Sequence, residues 1–207
     1  LLRSGEMQEV MEEMSPDDRA RLFEELPAKV VRQLLDQLSP EERKVTAELL
    51  GYEAETAGRL MTTEYIALKE NQTALEALDI VRRRARDTET IYSLYVTDNE
   101  RRLTGILSLR DLVTADPHTL IRDVMTEEVL SVRTNTDQEK VARTIQRYDF
   151  LAVPVVDLEQ RLVGIVTVDD VIDVIEQEAT RDLYAAGAVQ AGDEDDYFSS
   201  NLFTVAR

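Results

Sequence analysis

The feature that most constrains the fold of this chain is an internal repeat. Residues 61–112 and residues 125–171 both open with Met-Thr. The first stretch closes with Leu-Thr-Gly-Ile-Leu-Ser-Leu-Arg-Asp-Leu and the second with Leu-Val-Gly-Ile-Val-Thr-Val-Asp-Asp-Val. The repeated unit is about 60 residues long, which is too long for a solenoid and suits a pair of small α/β modules. The repeat therefore predicts the architecture before any single helix or strand is assigned.

Each copy is predicted to fold in the order β-α-β-β-α, because one helical pattern and two β-rich runs follow the opening segment. The predicted elements of the first copy are a helix over 74–85, strands over 91–96 and 105–108, and a helix from Arg110. Those of the second copy are a helix over 137–147, strands over 152–156 and 162–167, and a helix over 169–178. The first copy carries about five extra residues near 85–90, where an insertion in a loop is expected.

The segment before the repeat is predicted to be entirely helical. Ser15-Pro16 and Ser39-Pro40 are each followed by two acidic residues, which is typical of an N-cap, a proline at the first helical position and an acidic first turn. Apolar residues recur at helical spacing between them, and Pro27 divides that run into two short helices. We therefore expect a mixed fold class, α/β or α+β, with an all-α helical stack followed by two βαββα modules.

The charge of the chain limits what it can bind. With 24 basic and 42 acidic residues its formal net charge is −18, which argues against a nucleic-acid partner and against an anionic membrane surface. A divalent cation or a basic partner is favoured, although an acidic surface alone would also explain the charge. There is no cysteine and no run of 18 apolar residues. The chain opens with Leu1 rather than Met, and we expect it to be a fragment of a longer protein.

Two occurrences of the pattern Gly-Ile-x-[Ser/Thr]-x-x-Asp, at 105–111 and 164–170, mark candidate binding turns. Each lies where a strand is predicted to lead into a helix, so that the hydroxyl, the carboxylate and the free N–H groups of the helix can face a cleft. The alternative is that these side chains only cap their helices. The doubled pattern resembles that of cystathionine-β-synthase (CBS) domains, which occur in tandem pairs.

Acidic residues gather on the last predicted helix. Residues 162–180 contain no Lys or Arg, and Asp169, Asp170, Asp173 and Glu176 fall on one helical face. Carboxylate oxygens without His or Cys select Mg²⁺ or Ca²⁺ over zinc. The alternative is a solvated acidic face. The only histidine is His118, and no nucleophile elbow or Gly-rich phosphate loop is present, so no catalytic activity is expected.

Several longer stretches resemble one family, the cytosolic part of the MgtE-type magnesium channel/transporter. The matching stretches are 87–92, 107–112, 133–138, 148–150, and 164–170 continued through 178–180. The resemblance implies four parts: a shortened N-terminal helical domain over 1–55, CBS domains over 56–120 and 121–181, and a linker with the start of a connecting plug helix over 182–207. It also implies a homodimer through the CBS domains and a transmembrane pore that this chain lacks. The parent protein would lie in the cell membrane, with this fragment soluble on its cytoplasmic face.

The same resemblance implies a mechanism in which Mg²⁺ bridges carboxylates between the helical and CBS domains and between subunits, and so favours the closed pore. The metal ligands carried over by motif are Asp170, Asp173, Glu178, Asp182, Asp149 and Glu139, with Asp17 from the helical domain. The resemblance further implies adenine nucleotide binding, with ATP as the candidate ligand, by Arg110, Asp111 and Phe150.

Three positions depart from the family pattern. Arg21 and Arg181 stand where acidic residues are expected, and Ser93 stands where an aromatic ring would stack on the base. A guanidinium in place of a carboxylate could form a salt bridge where a bridging ion would otherwise bind, so we expect fewer Mg²⁺ ions than in the family. The alternatives to a Mg²⁺ sensor are a nucleotide-responsive CBS module and a passive acidic dimerisation module.

Overall fold

The computed structural model describes residues 10–176 and residue 180. Among the described residues, four helices form an N-terminal helical unit: α1 (10–13 of the described part), α2 (Pro16–Glu24), α3 (Ala28–Leu35) and α4 (Pro40–Leu50). Ser39 accepts a hydrogen bond from the Glu42 N–H at 3.3 Å, whereas Ser15 makes no such cap although its helix also begins with proline. The predicted all-α unit before the repeat is therefore confirmed.

The core of the helical unit is small and contains one buried charge. Met11, Phe23 and Leu38 are buried at its centre. Arg19 is fully buried, pairs with Glu42, and donates to the Thr46 hydroxyl at 3.2 Å and to the Met14 carbonyl at 2.7 Å. Because a buried guanidinium is costly unless it is paired, these contacts fix α2 against α4.

The two repeats have the same order of elements, as predicted. After the short helix α5 (Ala57–Leu60), the first repeat consists of β1 (Ala67–Lys69), α6 (Ala74–Arg84), β2 (Ser93–Thr97), β3 (Leu103–Ser108) and α7 (Leu109–Thr114). A 3₁₀ turn at Ile121–Asp123 leads to the second repeat. That repeat consists of β4 (Val132–Arg133), α8 (Gln138–Tyr148), β5 (Ala152–Val156), β6 (Leu162–Thr167) and α9 (168–176 among the described residues).

Each repeat forms a three-stranded sheet in chain order. β1 pairs in parallel with β2, and β2 pairs antiparallel with β3; β4, β5 and β6 repeat that arrangement. Even the irregularity recurs, since the register shifts between Val96 and Thr97 in the first sheet and between Val155 and Val156 in the second. The sequence repeat is therefore also a structural repeat.

The repeats are joined by exchanged leading segments. Thr62, in the leading segment of the first repeat before β1, exchanges two backbone hydrogen bonds with Ile165 of β6, at 2.9 and 3.0 Å. Thr126, in the leading segment of the second repeat before β4, exchanges two with Ile106 of β3, at 2.8 and 2.9 Å. Each repeat thus extends the sheet of the other. Among the described residues, no helix is long and apolar enough to cross a membrane.

Candidate functional site

The candidate site is the contact between the helical unit and the second repeat. Helix α2 approaches α5 and the first turns of α9, and a cavity of about 500 Å³ lies between them. The residues that line this cavity are mostly charged or polar: Asp17, Arg21, Glu24, Glu25, Glu55, Thr56, Arg59, Gln138 and Asp173, with Ala54, Leu60 and Val174. The structure therefore brings Asp17 and Asp173, two of the predicted ligands, to one cavity.

Asp17 is an unusual carboxylate, because it is buried and incompletely paired. It sits in the first turn of α2, directly after Pro16, and is only 6% exposed. Its Oδ1 atom has no hydrogen-bond partner among the described residues. Burial is the main cause that raises the pKa of Asp17, and the charges of Asp18 and Glu89 add to it. A buried acceptor without a donor costs free energy, which a bound cation would recover.

Asp170 lies on the other side of the contact, at the start of α9, and is 8% exposed. Its Oδ2 atom accepts a hydrogen bond from the Thr167 hydroxyl. Burial raises the pKa of Asp170 to about 7, and the charge of Asp17 is the next largest cause. Keeping the Asp170 carboxyl ionised in the folded chain therefore costs free energy.

Arg21 connects the two elements. Its Nη1 atom lies 2.7 Å from Asp173 Oδ2, and its Nη2 atom lies 3.2 Å from Asp170 Oδ1. A guanidinium can serve two carboxylates in this way because its donors form a rigid planar fork. The salt bridge expected from the presence of Arg21 is thus seen, and it joins α2 of the helical unit to α9 of the second repeat.

Three further carboxylates lie at this contact, of which the sequence singled out only Asp169, as part of the acidic face of the last helix. Asp18 on α2, Asp169 on α9 and Glu89 from the loop before β2 lie close enough to influence Asp17, Asp170 or one another. Partial desolvation raises the pKa of Glu89, and the charges of Asp169, Asp170 and Asp18 raise it further. None of the three forms a salt bridge with another described residue.

We call Asp17, Asp18, Glu89 and Asp169 the acidic junction, because helical unit, first repeat and second repeat all contribute to it. Glu89 was missed from the sequence, and the signal that could have pointed to it is the extra length of the first repeat near residues 85–90. That segment places Glu89 beside α2 and α9, and its backbone N–H donates to the Glu64 carbonyl at 2.9 Å.

The other predicted metal ligands do not join this group. Glu139 and Asp149 stand at opposite ends of α8, and ten residues of helix separate them by about 15 Å. Glu139 pairs with Arg143 at 2.9 Å, and Asp149 closes the helix in the left-handed conformation, at φ 52°. One ion cannot bind both side chains of the same chain. Glu178 and Asp182, like Arg181, lie outside the described residues.

The residues at the contact fit a hydrated divalent cation. All of the candidate donors are carboxylate oxygens, which suits Mg²⁺, and the buried Oδ1 atom of Asp17 has no donor. Among residues 10–176, no group of three or more acidic or histidine side chains converges as a ready-made metal cage. Mg²⁺ gives up its water reluctantly and is usually held by one or two carboxylates, so this spacing suits an ion that keeps part of its shell.

The predicted nucleotide-binding residues lie in different repeats. Arg110 and Asp111 are exposed at the start of α7, whereas Phe150 follows α8 in the second repeat and stacks on Tyr148 with ring centres 5.5 Å apart. Ser108 accepts a hydrogen bond from the Asp111 N–H at 3.1 Å and donates to its carboxylate. At this turn the pattern therefore does cap the helix, and Arg110 and Asp111 remain open to solvent.

Comparisons with known proteins agree with this arrangement. Residues 57–118 and 121–177 match the CBS domain family, and residues 2–55 match the MgtE intracellular N domain. The magnesium transporter MgtE of Thermus thermophilus is 53% identical over 162 residues, which are 78% of this chain and 36% of that protein. The chain spans about a third of the length of the curated relatives it matches.

Two solved structures are similar over most of the chain. A crystal structure of the cytosolic domain of the Mg²⁺ channel MgtE in complex with ATP has a TM-score of 0.82 at 48% identity, and covers 84% of this chain and 71% of that one. A crystal structure of the soluble part of a magnesium transporter has a TM-score of 0.83 at 47% identity, and covers 86% and 70% of the two chains.

Proposed function

Because the chain belongs to the family of MgtE cytosolic regions, an MgtE intracellular N domain followed by two CBS domains, we propose that it senses Mg²⁺ for a magnesium-transporting pore. In this proposal Mg²⁺ bridges carboxylates between the helical unit and the repeats, and between two subunits. The bridged form favours the closed pore. The pore, the homodimer through the CBS domains and the position on the cytoplasmic face of the membrane belong to the proposal.

The observation that carries the proposal is the unpaired, buried oxygen of Asp17 within the acidic junction. Four carboxyl groups from three parts of the chain stand there without a basic partner among the described residues. Without a cation they repel one another and strain the contact. A divalent ion would remove that repulsion only when the parts are together, so it would shift the population toward the closed packing.

The predicted ligands are divided among three places in this proposal. Asp17, Asp170 and Asp173 lie at the contact between the helical unit and the second repeat, where Arg21 already pairs with Asp170 and Asp173 and leaves Asp17 to the ion. Glu139 and Asp149, which one chain cannot bring to the same ion, serve ions shared with a second subunit. Glu178 and Asp182 remain proposed ligands on the strength of the family resemblance alone.

The test is a thermal melt of the chain in millimolar MgCl₂, against NaCl at equal ionic strength. A ligand that binds only the folded, closed form raises stability by about 2.7 kcal/mol at a hundred times its Kd. We expect a rise of about 5–10 °C in the midpoint with MgCl₂ alone, because 1 kcal/mol shifts the midpoint of a domain of this size by about 2–4 °C.

Asp17→Asn should remove most of this rise, because it takes away one charge of the acidic junction. The matched control is Asp36→Asn, at an exposed aspartate on the far end of α3, which should keep the full rise. Equal rises in MgCl₂ and NaCl would mean that the salts only screen the net charge, and would refute the sensor.

A second candidate function is adenine nucleotide binding, and the contrast between the two turns favours the first repeat as its place. Asp111 is exposed beside Arg110, whereas both oxygens of Asp170 are already engaged by Arg21 and Thr167. A relative of 48% identity was crystallised in complex with ATP. ATP titration of the Asp111→Ala and Asp170→Ala variants separates this function from the Mg²⁺ sensor.

A further inference from the structure

Arg21 gives the helical unit a cation of its own. The guanidinium reaches across the contact and binds two carboxylates one turn apart on α9, with N–O distances of 2.7 Å to Asp173 and 3.2 Å to Asp170. A bridging metal ion would do the same work, since it would neutralise both carboxylates and join α2 to α9. Unlike an ion, the guanidinium cannot be removed by dilution or by a chelator.

Asp170 has no oxygen left over at this place. Oδ1 accepts from Arg21 and Oδ2 accepts from the Thr167 hydroxyl. Asp170 is 8% exposed, while the Arg21 side chain is 34% exposed. The Arg21–Asp170 contact is therefore partly shielded from salt, whereas the Arg21–Asp173 contact is open to solvent because the Asp173 side chain is 54% exposed.

A second arginine holds the same C-terminal turn of α2. Arg59, on α5, pairs with Glu24 and donates to the carbonyl oxygens of Leu50 at 2.8 Å and Tyr52 at 2.5 Å. Helix α5 is itself bonded to the second repeat, because the N–H groups of Ala57 and Gly58 donate to carbonyl oxygens of residues 136 and 134. The last turn of α2 is thus bound to the second repeat directly through Arg21 and indirectly through Arg59 on α5.

From these contacts we propose that Arg21 is a tethered cation that takes the place of one bridging divalent ion. The helical unit then stays docked on the second repeat without any metal. The cation-dependent part of the response moves to the acidic junction, which has no positive charge of its own. The inference rests on the proposed function only in naming Mg²⁺ as the ion replaced; the docking without metal does not depend on it.

The test measures the distance between the helical unit and the second repeat by pulsed electron–electron double resonance between two spin labels. The chain has no cysteine, so Lys44→Cys on α4 and Glu159→Cys in the turn before β6, both exposed, provide two unique spin-label sites. In EDTA, the doubly labelled parent should give one narrow distance distribution that MgCl₂ leaves in place. Arg21→Gln should add a longer, broader component in EDTA, with the ratio of separated to docked molecules raised about tenfold, which corresponds to about 1.4 kcal/mol.

Two controls separate geometry from charge. Arg32→Gln removes one exposed positive charge from the same helical unit, where it bridges no described carboxylate, and should leave the distance unchanged. Arg21→Asp should separate the parts further than Arg21→Gln, and adding Asp173→Arg should restore docking by reversing the pair. Far-UV circular dichroism should show the same helix content in all variants.

The outcomes distinguish this inference from the sensor. If Arg21→Gln stays docked in EDTA, or the parent separates there as fully as the variant, the tethered cation is refuted whatever Mg²⁺ does to the thermal midpoint. If Arg21→Gln separates in EDTA and MgCl₂ brings it back while equal NaCl does not, both proposals are supported. If it separates and Mg²⁺ has no effect, the tethered cation stands and the sensor fails.

Discussion

The two strand-to-helix turns of the repeats have the same local design and different surroundings. At each turn a hydroxyl, Ser108 or Thr167, bonds the carboxylate three residues later. Asp111 in the first repeat is exposed, whereas Asp170 in the second is buried beneath α2 and bound by Arg21. The shared sequence pattern therefore specifies only the start of a helix. Whether its aspartate stays exposed or forms a buried ion pair depends on the element packed against the turn, which is α2 in the second repeat.

The glycine in each pattern extends the comparison to packing, and gives the largest expected effect. A Cβ atom at Gly164 would lie 2.8 Å from the Thr62 carbonyl oxygen and 2.6 Å from the Met61 sulfur, while at Gly105 the close neighbours all belong to the Met125 side chain. A methionine side chain can change its rotamer, whereas the Thr62 carbonyl is fixed by its backbone hydrogen bond with Ile165. We therefore expect Gly164→Ala to cost about 2–3 kcal/mol and Gly105→Ala about 1 kcal/mol.

Urea unfolding with an unchanged slope measures both costs. Equal losses in the two variants would show that the exchanged leading segments are equally soft, and would contradict the comparison.

The pH dependence of stability gives the next largest effect. Burial raises the pKa of Asp170 from 3.8 to about 7, so between these values the folded chain binds more protons than the unfolded chain. The stability that this carboxyl contributes is therefore fully present below about pH 4, falls as the pH rises, and is lost once the pH passes about 7. Asp170→Asn should remove about 2 kcal/mol of the difference in unfolding free energy between pH 5 and pH 8.

The matched control is Asp111→Asn, at the equivalent but exposed turn, which should keep the parental difference. The measurement is chemical unfolding at the two pH values in metal-free buffer. An Asp170→Asn variant with the full parental pH dependence would show that the buried carboxyl is not the group that titrates.

The smallest expected effect is on nucleotide affinity, and it tests the exposed turn of the first repeat at Asp111. Asp111→Ala should weaken ATP binding about tenfold, which is about 1.4 kcal/mol, because it removes an exposed acceptor beside Arg110. Asp170→Ala should change ATP affinity by less than about twofold, since Arg21 and Thr167 already engage that carboxylate. Isothermal titration calorimetry checks both values, and a larger loss in Asp170→Ala would reverse the assignment of the turns.

Much of the fold could be predicted because the signals for its helices and strands lie within short segments and occur in both repeats. The strands predicted for 152–156 and 162–167 occur at those residues, and the helices predicted for 74–85 and 137–147 end within one residue of Ala74–Arg84 and Gln138–Tyr148. The strand predicted for 91–96 instead covers Ser93–Thr97, because its pairing with β3 decides where it begins and ends.

The candidate site was predictable only in part, because it is made by contacts between distant segments. A salt bridge from Arg21 could be anticipated from the position of this residue in the family pattern. Its partners, Asp170 and Asp173, could not. Glu89 has no local signal beyond the length of its loop. The separation of Glu139 from Asp149, in contrast, follows from the predicted helix alone, because ten residues of helix rise about 15 Å.

The exchanged leading segments have a mechanical consequence. Among the backbone hydrogen bonds that cross between the repeats, two join Thr62 to Ile165 and two join Thr126 to Ile106, and each pair extends the sheet of the opposite repeat. If the two repeats were separated, β3 and β6 would each lose the segment that pairs with their outer edge, so neither repeat would be a complete domain by itself. We therefore expect the two repeats to move as one unit, so that a displacement of α2, which Arg21 binds to the second repeat, also reaches the first repeat.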